Sequence, residues 1–93
     1  MDANGLNKEE LENAARDLES QGEFEFEELK SALERCYKYN LDLGEDEIMA
    51  WNNARDMVAE AIVYAKMRGF VLSGMVDYML FSNHHRVQSG LRF

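Results

Sequence analysis

The sequence predicts an all-α fold, a small bundle of three to four antiparallel helices that forms a single domain over 1–93. Three observations support this prediction. Proline is absent from the 93 residues, and apolar residues recur at spacings of three and four in successive segments. The connections between these segments are short, which makes sequential helices neighbours in space. A chain of this length buries one modest core, so a deep catalytic pocket is not expected.

The first two helices are predicted at 8–20 and 27–40. Asn7 precedes Glu10 by three residues, which is typical of a helix start, and Gly22 is a plausible stop. A narrow apolar stripe on the first helix consists of Leu11, Ala14, Ala15 and Leu18. The apolar face of the second consists of Leu29, Ala32, Leu33, Cys36 and Tyr37. We expect a turn over 40–44, where Gly44 is the only glycine between two helical segments.

The third helix, about 45–68, is the longest and has the clearest ends. Acidic residues stand at its positive end and Lys66 and Arg68 at its negative end, with Gly69 just beyond. Its predicted buried stripe is Ile48, Trp51, Val58, Ala61, Ile62 and Ala65. The fourth helix is indicated by Leu72, Met75, Val76, Met79 and Leu80. It is predicted to end at Asn83, leaving a short basic C-terminal tail over 84–93.

The acidic charge is concentrated in the first half of the chain. Residues 1–49 contain 15 Asp and Glu against 5 Lys and Arg, whereas residues 50–93 contain 3 against 5. Such a chain is expected to attract a basic protein surface and to repel phosphate backbones, so direct DNA binding is not predicted. We expect Phe24 and Phe26 to supply contact energy beside the acids. The predicted partner-binding residues are Glu23, Phe24, Glu25, Phe26, Glu27, Glu28, Glu34, Asp42, Glu45, Asp46 and Glu47.

The apolar residues of the 45–68 helix exceed one stripe. A domain this small cannot cover all of them, so we expect a homo-oligomer, most simply a dimer, formed through this helix and the next one. Methionine adapts to irregular surfaces and is common where proteins bind partners. The predicted oligomer interface consists of Trp51, Met57, Tyr64, Met75 and Met79.

Residues 17–29 resemble the calcium-binding loop of the EF-hand family. The resemblance depends on an acid at the first position, oxygen-bearing side chains at the third and fifth, glycine at the sixth, an apolar residue at the eighth and glutamate at the twelfth. These residues are Asp17, Glu19, Gln21, Gly22, Phe24 and Glu28. Glu19 and Gln21 are longer than the usual Asp or Asn, and no second loop follows. The resemblance implies a degenerate calcium-responsive module as one alternative function, with calcium binding absent or weaker than physiological levels require.

No catalytic residue, cofactor or metal site is predicted. Glycine-rich phosphate loops are missing, and Cys36 is a lone cysteine on an apolar face, where a thiol is usually a small core residue. His84 and His85 are adjacent, so on a helix they point about 100° apart. A further alternative is an oligomeric binder of a small phosphate-containing anion, which would use the histidines with Arg86 and Arg92.

These observations favour a non-enzymatic acidic binding protein that inhibits or regulates a partner with a basic surface, such as a nucleic-acid-handling protein. The chain is similar in size and acidity to small charge mimics of the anti-restriction, anti-CRISPR and immunity classes. Residues 1–5 lack the basic and apolar regions of a signal peptide, and no long apolar run suggests a membrane span. With a single cysteine, the chain is therefore expected to be cytoplasmic.

Overall fold

The computed structural model describes residues 7–22 and 24–88, and side chains as far as Ser82. This part of the chain forms four α-helices and no strand. The all-α prediction is therefore confirmed. The helices are α1, Lys8–Gln21; α2, Phe26–Asp42; α3, Glu47–Arg68; and α4, Leu72–Gln88.

Side-chain caps fix the starts of the first two helices. At α1, the Asn7 side chain accepts a hydrogen bond from the backbone N–H of Glu9 at 2.8 Å. At α2, the Glu28 carboxylate accepts from the Glu25 N–H at 3.2 Å, and the Glu19 carboxylate accepts from the Phe26 N–H at 3.2 Å. These carboxylates satisfy backbone donors that a helix start leaves unpaired, and they also lie near its positive end.

Both ends of α3 are encoded locally. The Asp46 side chain accepts from the backbone N–H of Met49 at 2.8 Å, so Asp46 caps the helix instead of lying inside it. At the other end, Gly69 adopts a left-handed conformation with φ 72°, which glycine tolerates without steric cost. Gly44, with φ 97°, makes the turn between α2 and α3 in the same way.

The predicted end of α4 at Asn83 is wrong, because the helix continues to Gln88. Asn and His are weak helix formers but do not block the helical backbone as proline does, and the chain from 83 to 88 has neither proline nor glycine. The basic tail is shortened accordingly, and residues 89–93 lie outside the described residues.

The core lies between α2 and the other three helices, all of which α2 contacts. The apolar face predicted for α2 is buried in full, with Leu29 and Leu33 completely inaccessible. Asn40 is the one buried polar residue of the described part, and its side-chain amide donates to the Ala50 carbonyl at 3.1 Å. This hydrogen bond joins the end of α2 to the start of α3.

The buried stripe of α3 differs from the predicted one. Its inward residues are mainly alanines: Ala50, Ala54, Val58, Ala61 and Ala65. Ile48 was predicted to be buried but is 77% exposed. Small side chains let two helix backbones approach closely, so a stripe of alanine can face the core while a larger residue stays outside.

The molecule is thin, which leaves much apolar surface uncovered. Its principal dimensions are 38 × 35 × 17 Å. Because a helix with its side chains is about 10 Å across, a thickness of 17 Å holds two layers of helices. None of the four helices combines the length and the hydropathy that a bilayer crossing requires within the described residues.

Candidate functional site

The predicted acidic surface is divided into two groups at opposite ends of α2. Glu25, Glu27 and Glu28 lie at its start, whereas Asp42 and the acids of 45–47 lie at its end and at the start of α3. The length of α2, from 26 to 42, separates these groups by about 24 Å at a rise of 1.5 Å per residue. Glu34 is exposed in the middle of α2. Glu23 lies outside the described residues.

The start of α2 is largely engaged by its own chain. Phe24 and Phe26 are half-buried and pack against the core, so neither offers a fully exposed ring. Two cations lie over the Phe26 ring, with the Arg16 guanidinium 5.0 Å and the Lys30 ammonium 5.9 Å from the ring centre. These cations also offset part of the local negative charge.

The turn from α2 to α3 combines acids with exposed apolar side chains, and we call it the acidic corner. Its acids are Asp42, Glu45, Asp46 and Glu47, and its apolar residues are Leu43, Ile48 and Met49. The apolar side chains are 44%, 77% and 51% exposed, respectively. No Lys or Arg occurs between residues 39 and 54. The ion pairs found among the described side chains, Lys30–Glu12 and Arg35–Asp77, both lie elsewhere. The corner is therefore negative and partly apolar, and none of its acids belongs to an ion pair among the described side chains.

A groove of about 630 Å³ runs between α3 and α4, and we call it the α3–α4 groove. Met75, which is 5% exposed, forms part of its floor, and the rings of Tyr78 and Phe70 stand at its edges. Its remaining lining residues are Asn40, Leu43, Glu45, Asn53, Asp56, Met57, Glu60, Tyr64, Arg68, Met79 and Ser82. The groove is thus apolar at its centre and mostly acidic at its rim.

The acidic corner and the α3–α4 groove are continuous. Glu45 and Asn53 line both the groove and the shallow hollow at the corner, and the Asn53 amide donates to the Glu45 carboxylate at 2.9 Å. Leu43 belongs to the corner and also lines the groove. One molecule lying along the groove would therefore also meet the acids of the corner.

Four of the five residues predicted for an oligomer interface converge on the groove: Met57, Tyr64, Met75 and Met79. Met75 contributes little accessible surface because it is buried. Trp51 lies apart from them, with its ring edge-to-face against Tyr37 at 6.1 Å and the Arg55 guanidinium 5.8 Å from the ring centre. Whether two copies associate through these residues stays a prediction.

The segment that resembles an EF-hand loop is mostly helical, because it contains the end of α1 and the start of α2. Residues Asp17 to Gln21 belong to α1, and Glu28 belongs to the first turn of α2. Glu19 and Glu28, two of the expected calcium ligands, accept backbone hydrogen bonds at the start of α2. Among the described residues, no three His, Cys, Asp or Glu side chains are grouped so that they could hold a metal ion.

Cys36 is a core residue. It is buried on α2, and this burial raises the pKa of its thiol to about 11. The nucleophilic thiolate is therefore scarce at neutral pH. Of the residues suggested for an anionic ligand, His84, His85 and Arg86 belong to the last turns of α4, where side chains are not described, and Arg92 lies outside the described residues.

Sequence reasoning missed several residues of these surfaces. Ile48 was assigned to the core, and Asp56 and Glu60 were passed over because they belong to the less acidic half of the chain. A signal for them exists in the sequence: Asp56, Met57, Glu60 and Tyr64 recur at helical spacing and so share one face. The absence of Lys and Arg from 39–54 is a similar signal for the acidic corner.

No protein-family model matches the chain, and neither the curated proteins nor the solved structures include a significantly similar one.

Proposed function

We propose that this chain is a non-enzymatic binding protein that regulates or inhibits a partner by covering a basic surface on it. The observation that carries the proposal is the acidic corner, where exposed Leu43, Ile48 and Met49 lie among four acids. Interfaces obtain their contact energy from apolar anchors, whereas charges around them select the partner and steer its approach.

The charge of the corner favours a basic partner over an acidic or neutral one. Four carboxylates, none of them in an ion pair among the described side chains, create a negative potential that a cationic surface neutralises. Nucleic acids and anionic membranes carry the same sign as the corner and are repelled. Proteins that handle nucleic acids present cationic surfaces, which makes them the class of partner that this potential fits best.

The apolar part of the corner explains how such a complex would persist. An exposed ion pair contributes only about 0–1 kcal/mol, so charge alone gives a short-lived complex. Burial of the exposed parts of Ile48 and Met49 against a partner would add roughly 1–2 kcal/mol for each side chain. The corner therefore has both the charged and the apolar elements of a specific binding surface.

The test is affinity capture from a lysate of the organism that encodes the protein, with wild-type protein and two matched variants as bait. Ile48→Ser removes the most exposed apolar side chain of the corner. Met67→Ser removes one that is 74% exposed on the same helix but outside both the corner and the groove. We expect a basic protein that wild type and Met67→Ser retain and that Ile48→Ser loses.

Two outcomes would contradict the proposal. One is that the three baits retain the same proteins, which would show that the corner makes no specific contact. The other is that every protein dependent on Ile48 is acidic or neutral, which would remove the role of the carboxylates. Circular dichroism of the three baits establishes that they are equally folded.

A further inference from the structure

The α3–α4 groove is long enough to bind a short helix. Along α3 its lining extends from Asn53 to Arg68, a distance of about 22 Å at the helical rise. That length matches a guest helix of about 15 residues. Its lining includes apolar side chains of both helices, Met57 and Tyr64 on one face of α3 and Tyr78 and Met79 on α4.

We propose that this groove binds a basic amphipathic helix of the partner protein, a proposal that rests on the function inferred above. The apolar face of the guest helix packs on Met57, Met79 and the rings of Tyr64 and Tyr78. Methionine and tyrosine suit such a site, since methionine repacks around different side chains and tyrosine buries a large ring at a small entropic cost. Recognition of an amphipathic helix in an apolar groove is a common mode of peptide binding.

The rim charges select a cationic guest and set its direction. Glu45, Asp56 and Glu60 lie along the part of the groove nearest the acidic corner, whereas Arg68 lies at the opposite end. Lysines or arginines of the guest therefore face the corner end. Its carboxyl end or an acidic side chain faces Arg68. A guest placed in this way continues directly onto the corner, because Glu45 belongs to both surfaces.

A second copy of this chain fits the groove less well than a basic helix does. Each copy has a net charge of −8, and pairing two grooves would bring the carboxylates of Asp56 and Glu60 towards those of the other copy. Like charges brought together across an interface oppose association. An anionic lipid surface is disfavoured for the same reason.

The test uses a fluorescent synthetic peptide of about 18 residues, composed of Leu and Lys with leucines at helical spacing. Binding is measured by anisotropy. Two control peptides accompany it: a scrambled peptide of the same composition, and one with every Lys replaced by Glu. We expect the amphipathic Lys peptide to bind about tenfold more tightly than the scrambled one, because only the former presents an apolar face. The Glu peptide should not bind.

Variants locate the bound peptide. Tyr78→Ser removes an exposed aromatic ring that lines the groove. It should weaken binding of the amphipathic peptide by about fivefold or more, as loss of an aromatic anchor does. Phe81→Ser is the matched control, because Phe81 is 71% exposed on the same helix and does not line the groove. Asp56→Asn combined with Glu60→Gln should weaken binding and reduce its dependence on salt. Glu9→Gln combined with Glu10→Gln removes the same charge from the start of α1, outside the groove, and should have little effect.

Equal binding of the amphipathic and scrambled peptides would overturn the proposal, as would no binding or an unchanged affinity in Tyr78→Ser. A wild-type dimer in light scattering that Tyr78→Ser converts to monomer would show that a second copy occupies the groove and would also overturn it. If the peptide does not bind while capture of the partner still depends on Ile48, only the groove proposal is contradicted. If the peptide binds the groove but capture does not depend on Ile48, the function assigned to the corner is lost.

Discussion

At the scale of single residues, several polar side chains of the described part stabilise the ends and junctions of helices. Glu19, Glu28 and Asp46 cap helices, and Asn40 joins two of them. The capping residue of α1 was predictable, because Asn7 lies directly before a periodic segment. The role of Asn40 was not, since its sequence position suggests an ordinary turn residue and only the packing of α2 on α3 buries it.

We predict that Asn40→Ala destabilises the fold by roughly 0.5–1.5 kcal/mol, since it removes the buried hydrogen bond from the Asn40 amide to the Ala50 carbonyl that joins α2 to α3. Urea unfolding followed by circular dichroism measures this effect. Asn13→Ala, at an exposed position of α1, is the control and should change stability by less than about 0.5 kcal/mol. Equal effects of the two substitutions would show that the Asn40 bond contributes nothing.

A second residue-scale prediction concerns Cys36. Folding raises its pKa from 9.0 to about 11, so the folded state favours the neutral thiol. Stability from this source is fully present below pH 9 and is lost as the pH rises towards 11. The free energy of unfolding of wild type should therefore fall more steeply over this window than that of Cys36→Ala.

The comparison must be between the two proteins, because burial also raises the pKa of Tyr39 and so adds to the pH dependence of both. Parallel curves for wild type and Cys36→Ala would contradict the assignment of Cys36 to the core. Labelling with a thiol reagent at pH 8 is an independent check, and it should be slow until denaturant is added.

At the scale of helices, periodicity and end signals predicted the elements well, whereas size and hydrophobicity predicted burial less well. The ends of α3 follow from Asp46 and Gly69. Its buried face could not be predicted by ranking residues by hydrophobicity. Alanine is less hydrophobic than isoleucine, but its small side chain allows α2 to approach α3 closely, so the alanines are the residues that become buried. Ile48 is exposed because it lies off this alanine stripe. The extension of α4 beyond Asn83 was missed because no periodic apolar residues mark its last turns.

We predict that Ala54→Leu destabilises the protein by about 1–3 kcal/mol, since Ala54 is fully buried and extra methyl groups there would separate α3 from α2. Ala59→Leu is the matched control, as Ala59 is exposed on the same helix. Thermal unfolding of both variants checks the prediction. Similar melting temperatures would show that the alanine stripe does not set the distance between the helices.

At the scale of the whole molecule, thinness and charge act together. A two-layer bundle leaves apolar side chains uncovered along α3 and α4, and acidic side chains lie around them, which favours a cationic partner. The acidity and the excess of apolar residues were both readable in the sequence. The place where acidic and apolar side chains come together could not be read from the sequence, because the acidic corner and the groove are assembled from α2, α3 and α4.

The most direct test of the account is the association rate of the captured partner at several salt concentrations. Asp42→Asn combined with Glu47→Gln removes two exposed charges from the acidic corner, and Glu9→Gln combined with Glu10→Gln removes two from the start of α1. We predict that the corner variant associates more slowly at low salt, by about threefold or more, and with a flatter salt dependence, whereas the α1 variant resembles wild type. Identical rates and salt dependences for both variants would show that the acidic corner does not guide binding.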